Sequence, residues 1–596
     1  MNPRIGEESL GGPNNAAVIW YDWGSHPFEL ARERNQPVIL SIGAVWCYWC
    51  RVMQETTFCD PDVIAFVNSN FVCVHVDNDH RPDINSRYNV GGWPTTAFLT
   101  GHGGILAGAT YLPPDQFIAM LIEVQRAYQD QKSELYQQAN NLFRQRQDQV
   151  ARIAGSQDLD PFEVQRILRK TAGIYDPIHG GFGEEPKFPS CSVVRLVLDS
   201  YRVTREEFYR IITEKTLTGM AQGSLRDPID GGFFRFCSLE NWTQAQHEKM
   251  LEDNIGLAGI YLDAWMLFED DCYKTVANET LDYIVGNLYD SGYEAFRGSQ
   301  GAHSEYYTLL QEDRSHQAPP LIDPSCYADW SGQAASLLFK AHWMVGRPEL
   351  LQVARSVLGG LISRSRNADL RHVVGVTKSL PLVFLSDWAS FLNALMDSHY
   401  WDADDSSSLE IAVEVAEVLV DRFYDHDNGG FFDILRDDQA VGYLKLREKP
   451  LPPNLLAIEA LLKLYNATVD DQYHTIIGDT LKAYATTYGE YGDYAAGYGL
   501  LLQRFINSPV EIRIEGHPTD KSTVELLRGA TQSNVPHLMI RPIFNENHQG
   551  GAEASICYSS ICTPPVRDVQ GIRDQISSIQ SNSQLIQDTV FERFQI

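Results

Sequence analysis

The residues with the clearest chemical potential are the two cysteines of Trp46-Cys47-Tyr48-Trp49-Cys50. Residues 37–42, just before them, are apolar and predict a buried β-strand, and a helix is expected to begin at Cys47. The N–H groups and the dipole at a helix N-terminus stabilise a thiolate at that position. Cys50 follows one helical turn later, where it can resolve a mixed disulfide formed at Cys47. The pattern predicts thiol–disulfide exchange.

Zinc sites use the same Cys-x-x-Cys spacing, so the motif by itself leaves two alternatives. A zinc site would need two more ligands, and the chain contains no second Cys-x-x-Cys pair. A redox pair is therefore favoured, and no metal or cofactor is predicted.

The residues that follow the motif favour a redox fold. Asp60-Pro61 predicts a capped helix start, and residues 71–77 predict a second strand. Gly91-Gly92 then lead into Trp93-Pro94 and a third strand. A thioredoxin-like fold places a cis-proline immediately before such a strand, facing the cysteines, and only X–Pro bonds reach the cis form at low cost. Pro94 is the candidate.

These elements give each residue of the site an expected role. Cys47 is the exposed nucleophile and Cys50 the resolving thiol, while Trp93 and Pro94 shape the substrate surface. Three neighbouring aromatic residues are expected to contact the substrate: Trp46, Tyr48 and Trp49. The alternative is a pair of reduced, partly buried cysteines retained for packing.

Length and composition limit the possible folds and functions of the whole chain. A chain of 596 residues exceeds the size of a single core and predicts several domains. Its formal charge of −30 argues against nucleic-acid or anionic-membrane partners, which require basic patches. No apolar segment is long enough to span a bilayer, and residues 1–12 do not resemble a signal peptide. A soluble cytoplasmic protein is the simplest expectation.

The pattern changes along the chain. Beyond residue 160, amphipathic helical segments alternate with glycine-aromatic turns, which predicts a closed α/α toroid or a helical solenoid. The final part reads as a small α/β appendage with a poorly ordered end beyond about Gln570. The predicted regions are an α/β domain over 16–130, a helical linker over 131–159, the helical array over 160–507 and the appendage over 508–596.

Motifs spread along the chain resemble the spermatogenesis-associated protein 20 family and its bacterial relatives. The matching segments are Cys47-Tyr48-Trp49-Cys50, Gly91-Gly92-Trp93-Pro94, Gly180-Gly181-Phe182-Gly183, Gly231-Gly232-Phe233, Glu248-Lys249-Met250-Leu251, and Cys557 with Cys562. The resemblance implies a multidomain fold in which a thioredoxin-like domain precedes an (α/α)6 six-hairpin barrel. It does not define an activity, because that of the family is poorly known.

The chain departs from the family pattern at several positions. Tyr48 stands where the family usually has histidine, and a neutral phenol stabilises a thiolate less than an imidazolium does. Gln246-His247 replaces His-Phe, residues 300–305 lack the two aspartates of an acidic stretch, and Trp330-Ser331 replaces Trp-Asn. A catalytic site in the barrel would be partly lost in this chain.

Six-hairpin toroids of other families hold sugars in a central pocket and use carboxylates or histidines for acid–base chemistry. The candidates here are Asp230, Phe233, Trp242, His247, Glu248, Asp253, Trp330, Asp387 and Trp388. The plain alternative is that an acidic protein places many carboxylates at helix N-termini for capping.

Two functional hypotheses follow. The first is a thiol–disulfide oxidoreductase whose barrel selects or binds the substrate. The second is a carbohydrate-active or carbohydrate-binding barrel with an accessory or vestigial thioredoxin-like domain. The expected partner is accordingly a protein thiol or disulfide, or a sugar-like small molecule. Cys557 and Cys562 are expected to be reduced packing residues, since a cytoplasmic location disfavours a disulfide.

Overall fold

The computed structural model describes residues 17–155, 157–367, 370–375, 382–402, 404–517, 520–543, 551–558 and 561–592, and side chains as far as residue 580. The chain forms two compact units. The first comprises the residues up to 153 together with 299–324 and 432–449, and the second comprises the remainder. Two segments from far along the chain thus belong to the first unit. The predicted domain boundaries stay predictions, and residues 1–12 lie outside the described part.

The first unit is built on a five-stranded sheet of order β1-β3-β2-β4-β5. Its strands are β1 Trp20–Tyr21, β2 Val38–Gly43, β3 Val72–Asp77, β4 Thr95–Leu99 and β5 Ile105–Ala109. Its helices before residue 153 are α1 Ser25–Arg34, α2 Tyr48–Glu55, α3 Pro61–Asn70, α4 Pro82–Tyr88, α5 Pro114–Asp130 and α6 Lys132–Ala151. β1 and β2 run parallel to β3, while β4 runs antiparallel to β2 and β5.

The expected buried central strand is confirmed, because all six residues of β2 are buried between β3 and β4. The expected helix start at Asp60 is also confirmed. Its Oδ1 accepts hydrogen bonds from the N–H groups of Asp62 and Val63 at 2.9 and 3.1 Å. A capped helix and a continuous apolar strand therefore form where local sequence requires them.

The remainder of the chain is mainly helical. In chain order its helices are α7 Glu163–Gly173, α8 Cys191–Thr204, α9 Glu207–Gln222, α10 Leu251–Phe268, α11 Asp271–Tyr283, α12 Ser304–Tyr307, α13 Gln311–Arg314, α14 Ala328–Val345, α15 Pro348–Asn367, α16 Leu385–Trp401, α17 Ser408–Phe423, α18 Leu451–Thr468, α19 Asp471–Tyr484, α20 Tyr494–Ile506, α21 Lys521–Thr531 and α22 Val569–Glu592. The short helices α12 and α13 belong to the first unit.

Twelve of these helices form a closed double ring in the second unit. The inner ring is α8-α10-α14-α16-α18-α20, in which each helix packs against the next and α20 packs against α8. Each inner helix also packs against one outer helix: α9, α11, α15, α17, α19 and α7, in the same order. This arrangement is an (α/α)6 barrel, so the predicted fold class, a thioredoxin-like domain with a six-hairpin barrel, is confirmed.

Short strands complete the second unit. They include β6 Phe236–Cys237, β7 Ala245–Gln246, β8 Lys249–Met250, β9 Tyr289–Asp290, β10 Ala295–Arg297, β12 Cys326–Tyr327 and β13 Val373–Val374, while β11 Ser299–Gln300 lies in the first unit. β9, β10, β12 and β13 form one antiparallel sheet. None of the described helices combines the length and apolar character needed to cross a membrane.

The glycine-aromatic turns of the barrel share one construction. The N–H of Asp227 donates to the carbonyl of Gly232, and the carboxylate of Asp227 pairs with the fully buried Lys249. Asn254 closes the turn by accepting from the N–H of Phe233 and donating to its carbonyl. Asn454 makes the same two bonds to Phe431 in a later hairpin. These two turns therefore repeat the same asparagine-to-backbone contacts.

The C-terminal part carries a sheet of order β15-β14-β16-β17, with strands β14 Val510–Glu515, β15 Leu538–Ile543, β16 Glu553–Tyr558 and β17 Ile561–Cys562. The expectation of reduced cysteines here is wrong, since Cys557 and Cys562 form a disulfide. Antiparallel pairing of β16 and β17 places them directly opposite one another, with Cα atoms 4.0 Å apart.

Helix α22 occupies the region beyond Gln570 where composition predicted a poorly ordered end. Ile572 and Ile576, four residues apart on one face, are buried and supply an apolar contact with the appendage. Residues 593–596 lie outside the described part.

Candidate functional site

The two cysteines lie where β2 ends and α2 begins. Cys47 is the N-cap of α2, and the N–H of Cys50 donates to its Sγ at 3.1 Å. A disulfide joins Cys47 and Cys50, whose Cα atoms are 5.3 Å apart. The predicted helix start at Cys47 is confirmed, and both the N–H of Cys50 and the helix dipole face the sulfur. Two sulfurs bonded to each other do not act as a zinc-ligand pair.

The predicted cis-proline is also confirmed. The Trp93–Pro94 peptide bond is cis, and the next residue, Thr95, pairs with Ile42 near the end of β2. Pro94 therefore lies at the same edge of the sheet as the disulfide. The ring of Trp46 contacts the ring of Trp93 edge to face, with centroids 5.5 Å apart.

The expectation of an exposed nucleophile is wrong for this disulfide form, because Cys47 is only 6% exposed and Cys50 is half-buried. Segment 299–324, part of the same unit, packs against the adjacent Trp46. The N–H of Ala302 donates to the Trp46 carbonyl at 3.4 Å, and a Cβ on Gly301 would lie 3.7 Å from the Cα of Trp46. The segment is about 250 residues away in sequence, so local patterns gave no sign of it.

Beside the disulfide lies an exposed aromatic surface. Tyr48 and Trp49 are 43% and 51% exposed, and Trp49 contacts Tyr111 with ring centroids 5.0 Å apart. The Arg51 guanidinium lies 5.5 Å from the centre of the Tyr48 ring. The chain thus places two exposed aromatic rings and a guanidinium next to the disulfide.

Sequence reasoning missed a group of aspartates behind Trp46. Oδ2 of Asp79 accepts from Nε1 of Trp46 at 2.9 Å, and Oδ1 of Asp77 accepts from the N–H of Asp79 at 2.8 Å. Burial, then Asp77 and Asp323, raise the pKa of Asp79 to about 8. Burial and then Asp323 raise the pKa of Asp77 to about 7. The available signal was that Asp77 ends β3, opposite Gly43 at the end of β2, and that Asp79 follows two residues later.

Two of the aromatic candidates in the barrel are core residues. Trp242 is 1% exposed, and a Cβ on any of Gly181, Gly219 or Gly223 would fall within 3 Å of it. Phe233 is fully buried and stacks on Tyr261 with centroids 5.6 Å apart. Neither side chain offers a surface to a sugar, which corrects the expectation for both.

Asp387 and its neighbours form a buried ion pair. His372 Nδ1 lies 2.8 Å from Asp387 Oδ1 and 3.9 Å from Asp329 Oδ1, and both aspartates begin inner helices. Burial raises the pKa of Asp387 to about 6, and the charge of His372 opposes that shift. Trp388 is 4% exposed, and Trp330 is half-buried against Tyr327 and Gly298. Packing thus accounts for Trp330, while the buried Nε1 of Trp388 has no hydrogen-bond partner among the described residues.

Two acidic candidates of the barrel flank the start of the inner helix α10 and are both influenced by the charge of Arg235, in a group we call the Glu248 cluster: Glu248, Asp253 and Arg235. Glu248 is 8% exposed, and its Oε2 has no hydrogen-bond partner among the described residues. Burial raises the pKa of Glu248, and burial raises that of Asp253 to about 6, while the charge of Arg235 lowers both. A buried carboxylate oxygen without a partner marks a place where a ligand group could bind.

Sequence reasoning missed one residue beside this cluster, Tyr494, and named two others, His247 and Asp230. Tyr494, at the start of α20, is 42% exposed, and the charge of Glu252 is the main cause of its raised pKa, followed by burial and Asp253. His247 is half-buried and packs edge to face on Phe234, and Asp230 lies half-buried in the turn after Asp227.

Among the residues that the structure describes, two groups of side chains have ligand atoms within 4.8 Å of one another, close enough to hold a metal ion: Asp176 with His179 and Glu240, and Asp329 with His372 and Asp387. In the first group, the buried ammonium of Lys187 pairs with Asp176 and supplies the positive charge. Neither group contains Cys47 or Cys50.

Residues 10–147 match the family model Thioredox_DsbH, described as "Protein of unknown function, DUF255". Human spermatogenesis-associated protein 20 is 30% identical over 292 residues, which are 46% of this chain and 37% of the human protein. The resemblance to the spermatogenesis-associated protein 20 family is confirmed. The chain therefore spans well under half the length of the curated relatives it matches.

Solved structures resemble the two parts of the chain separately. The crystal structure of D-mannose isomerase is 12% identical, with a TM-score of 0.43, over 55% of this chain and 87% of that protein. A structure titled DsbH Oxidoreductase is 19% identical, with a TM-score of 0.18, over 20% of this chain and 94% of that protein.

The structure locates the departures from the spermatogenesis-associated protein 20 pattern. Tyr48 lies beside the disulfide on the exposed aromatic surface. Residues 300–305, where the family has an acidic stretch, belong to the first unit, and Ala302 among them bonds to Trp46. Trp330-Ser331 lies at the start of α14, where the Ser331 hydroxyl accepts from the N–H of Phe296. Two of the departures thus lie in the first unit, beside the Cys47–Cys50 disulfide and Trp46, rather than in the barrel.

Proposed function

We propose that this chain is a thiol–disulfide oxidoreductase whose active pair is Cys47 and Cys50. The observation that carries the proposal is the disulfide at the N-terminus of α2, at the sheet edge that also holds the cis Trp93–Pro94 bond. This arrangement supports a thiolate at Cys47, since the N–H of Cys50 donates to its sulfur and Arg51 adds positive charge nearby.

The reaction proceeds in two exchanges. In the reduced protein, the Cys47 thiolate attacks a substrate disulfide, forms a mixed disulfide and releases one substrate thiolate. Cys50 then attacks Cys47, restores the Cys47–Cys50 disulfide and releases the second substrate thiol. Two electrons pass from the dithiol to the substrate, and an external dithiol must reduce the pair again.

The substrate surface follows from the exposed residues. Trp49 and Tyr48 offer aromatic faces to a peptide beside the disulfide, and Trp93 and Pro94 form the opposite wall. Because Cys47 is nearly covered in the disulfide form, segment 299–324 restricts which substrates reach it. A cytoplasmic location stays part of the proposal, and the Cys557–Cys562 disulfide, a bond that is rare in that compartment, is the observation against it.

Reduction of insulin by the full chain in the presence of dithiothreitol tests this function. The wild type should accelerate precipitation of the insulin B chain, and Cys47→Ser should return the rate to background. Cys272→Ser is the matched control, because Cys272 is an exposed cysteine in the other unit without a disulfide. A wild-type rate equal to that of Cys47→Ser would refute the proposal.

A second candidate function is carbohydrate binding or acid–base chemistry at the Glu248 cluster. The unpartnered Oε2 of Glu248 favours it, because a sugar hydroxyl would satisfy that oxygen. The raised pKa of Asp253, about 6, suits proton transfer, and the half-exposed ring of Tyr494 offers a face to a sugar ring.

Calorimetric titration of the full chain with mono- and disaccharides tests the second candidate. Glu248→Gln should weaken any binding that is observed, whereas Glu410→Gln should not, because Glu410 is exposed on the outer helix α17. Absence of heat with all sugars, or equal binding by both variants, would exclude the Glu248 cluster as a sugar site.

A further inference from the structure

The second exchange of the proposed reaction requires Cys50 to lose its proton. A thiol is a poor nucleophile until it becomes a thiolate, and an ordinary cysteine is mostly protonated at neutral pH. Cys50 is half-buried and lies inside α2, so it lacks the helix-terminal position that favours a thiolate at Cys47. A base close to Cys50 would supply what the helix does not.

His75 is in position for this task. It lies on β3, paired in register with Ser41 of β2. A Cβ atom built on Gly43 would lie 3.8 Å from Sγ of Cys50 and 3.9 Å from Nε2 of His75. Cβ of Cys50 lies 3.6 Å from the same position, so the side chains of His75 and Cys50 are both within ordinary contact distance of the Cβ position of Gly43.

The surroundings of His75 keep it able to accept a proton. Its ring packs edge to face on Trp20, with centroids 5.7 Å apart. Burial lowers the pKa of His75, and the charge of Asp22 opposes that shift. The imidazole is therefore neutral near pH 7, with one nitrogen available as an acceptor.

We propose that His75 takes the proton of the Cys50 thiol as Cys50 attacks the mixed disulfide at Cys47. The inference rests on the proposed oxidoreductase function and assigns a residue to its second step. The Cys50–Cys47 sulfur bond forms as the bond from Cys47 to the substrate sulfur breaks. The proton passes from Cys50 to Nε2 of His75, directly or through one water, and then to the departing substrate thiolate.

The nearby aspartates are the competing acceptors, and their contacts make them less suitable. Oδ1 of Asp77 already accepts from the N–H groups of Asp79 and His80. The two oxygens of Asp79 accept from Trp46 and Asn78. Asp79 is thus engaged at both oxygens and Asp77 at Oδ1, whereas the Cβ position of Gly43 lies within 4 Å of both Nε2 of His75 and Sγ of Cys50.

Stopped-flow reaction of the reduced full chain with Ellman's reagent separates the two steps. Attack by Cys47 releases one thionitrobenzoate, and attack by Cys50 on the resulting mixed disulfide releases a second. The other cysteines able to react are replaced by serine in every variant: Cys59, Cys272, Cys557 and Cys562.

His75→Asn should slow the second release about 10- to 100-fold, the scale of general-base catalysis, and leave the first unchanged. Gly43→Ala should also slow the second release. Its methyl group fits at ordinary contact distances and fills the position that contacts both Nε2 of His75 and Sγ of Cys50. The Gly43→Ala variant also tests the proposal if His75→Asn does not fold. His102→Asn is the matched control, since His102 is an exposed histidine of the same unit.

The outcomes distinguish failure of the His75 assignment from failure of the proposed oxidoreductase function. If Cys47→Ser leaves the first release unchanged, the oxidoreductase proposal fails. If the wild type releases thionitrobenzoate in two steps but folded His75→Asn and Gly43→Ala do so at wild-type rates, His75 is not the base. A selective loss of the second step in Asp77→Asn alone would likewise overturn the assignment and give the role to that carboxylate.

Discussion

The redox site and the Glu248 cluster are built in opposite ways. The redox site takes its reactive atoms from neighbours in sequence, Cys47 and Cys50, at a junction between one strand and one helix. In the Glu248 cluster, Glu248 lies just before α10, Asp253 lies in its first turn and Arg235 precedes β6, and Tyr494 of α20 comes near them only because the helical ring closes. A short motif predicts both reactive atoms of the first site, whereas the motif around Glu248 predicts an acidic group but gives no sign of Tyr494.

The two sites also differ in how their buried carboxylates are satisfied. Asp79 accepts from Trp46 and Asn78, so its protonated or ionised form is held by fixed partners. Oε2 of Glu248 has no partner among the described residues. Buried polar groups that have hydrogen-bond partners stabilise a site without a ligand. A buried polar group without a partner indicates a position where a ligand could bind.

The largest effect should separate the two sites functionally. Cys47→Ser should abolish insulin reduction, because no other residue supplies the nucleophile at the N-terminus of α2. Glu248→Gln should leave that rate unchanged, because the acid lies in the other unit. A loss of insulin reduction in folded Glu248→Gln would show that the two sites do not act independently.

A large stability effect is expected from the barrel turns. Asn254→Ala removes two bonds to the backbone of Phe233 and one to Met250 and leaves those groups buried, which should lower the free energy of unfolding by about 3 kcal/mol. Urea unfolding followed by circular dichroism measures the change.

Asn454→Ala should cost a similar amount, because Asn454 bonds to Phe431 and Pro450 in the same way. Gln352→Ala, at an exposed position of α15, should change stability by less than about 0.5 kcal/mol. An Asn454 variant as stable as the wild type would contradict the view that the turns are equivalent repeats.

A moderate effect is expected from pH on the first unit. Folded Asp79 keeps its proton up to about pH 8, whereas an unfolded aspartate loses it near pH 4. Between these values the folded state binds more protons, so the free energy of unfolding should fall as the pH rises from about 4 to about 8.

Asp79→Asn should flatten this dependence, because an amide does not ionise and still accepts from Trp46. Thermal melts of the full chain between pH 5 and pH 8.5 measure it. Asp115→Asn, at an exposed site of the same unit, should keep the wild-type slope. The same slope in Asp79→Asn as in wild type would mean that Asp79 is ionised throughout.

The smallest effect is expected at position 48, where the spermatogenesis-associated protein 20 family usually has histidine. Tyr48→His should raise the alkylation rate of reduced Cys47 by iodoacetamide a few-fold at pH 6, because an imidazolium beside the sulfur favours the thiolate. The effect should fade above pH 7.5 as the imidazole loses its charge. Tyr48→Phe should behave like the wild type, and a Tyr48→His rate that does not change with pH would count against this electrostatic reason.

Much of the redox site could be predicted because its parts are local. An apolar run predicts β2, the Cys-x-x-Cys spacing sets both sulfurs one helical turn apart, and Trp93-Pro94 precedes β4. Each of these depends on backbone preferences and on residues a few positions apart, which a sequence displays directly.

The same reasoning failed where burial decides a residue's role. Trp242 looked suited to a sugar ring, yet three glycines distant from it in sequence enclose it in the core. Cys557 and Cys562 became a disulfide because β16 and β17 pair in one particular register. Neither packing nor register can be read from a single segment.

The sequence by itself determined the thiol chemistry, the strand–helix junction that presents it and the proline before β4, because covalent neighbours and local hydrogen bonds set these. Only the tertiary structure decided that Ala302 bonds to Trp46, that Asp323 acts on Asp79, that Cys47 is covered and that His75 and Cys50 both lie against Gly43. The reason is physical: solvent exclusion and the pKa of a buried group depend on which atoms lie close together in space. The order of residues along the chain does not give the distances between those atoms.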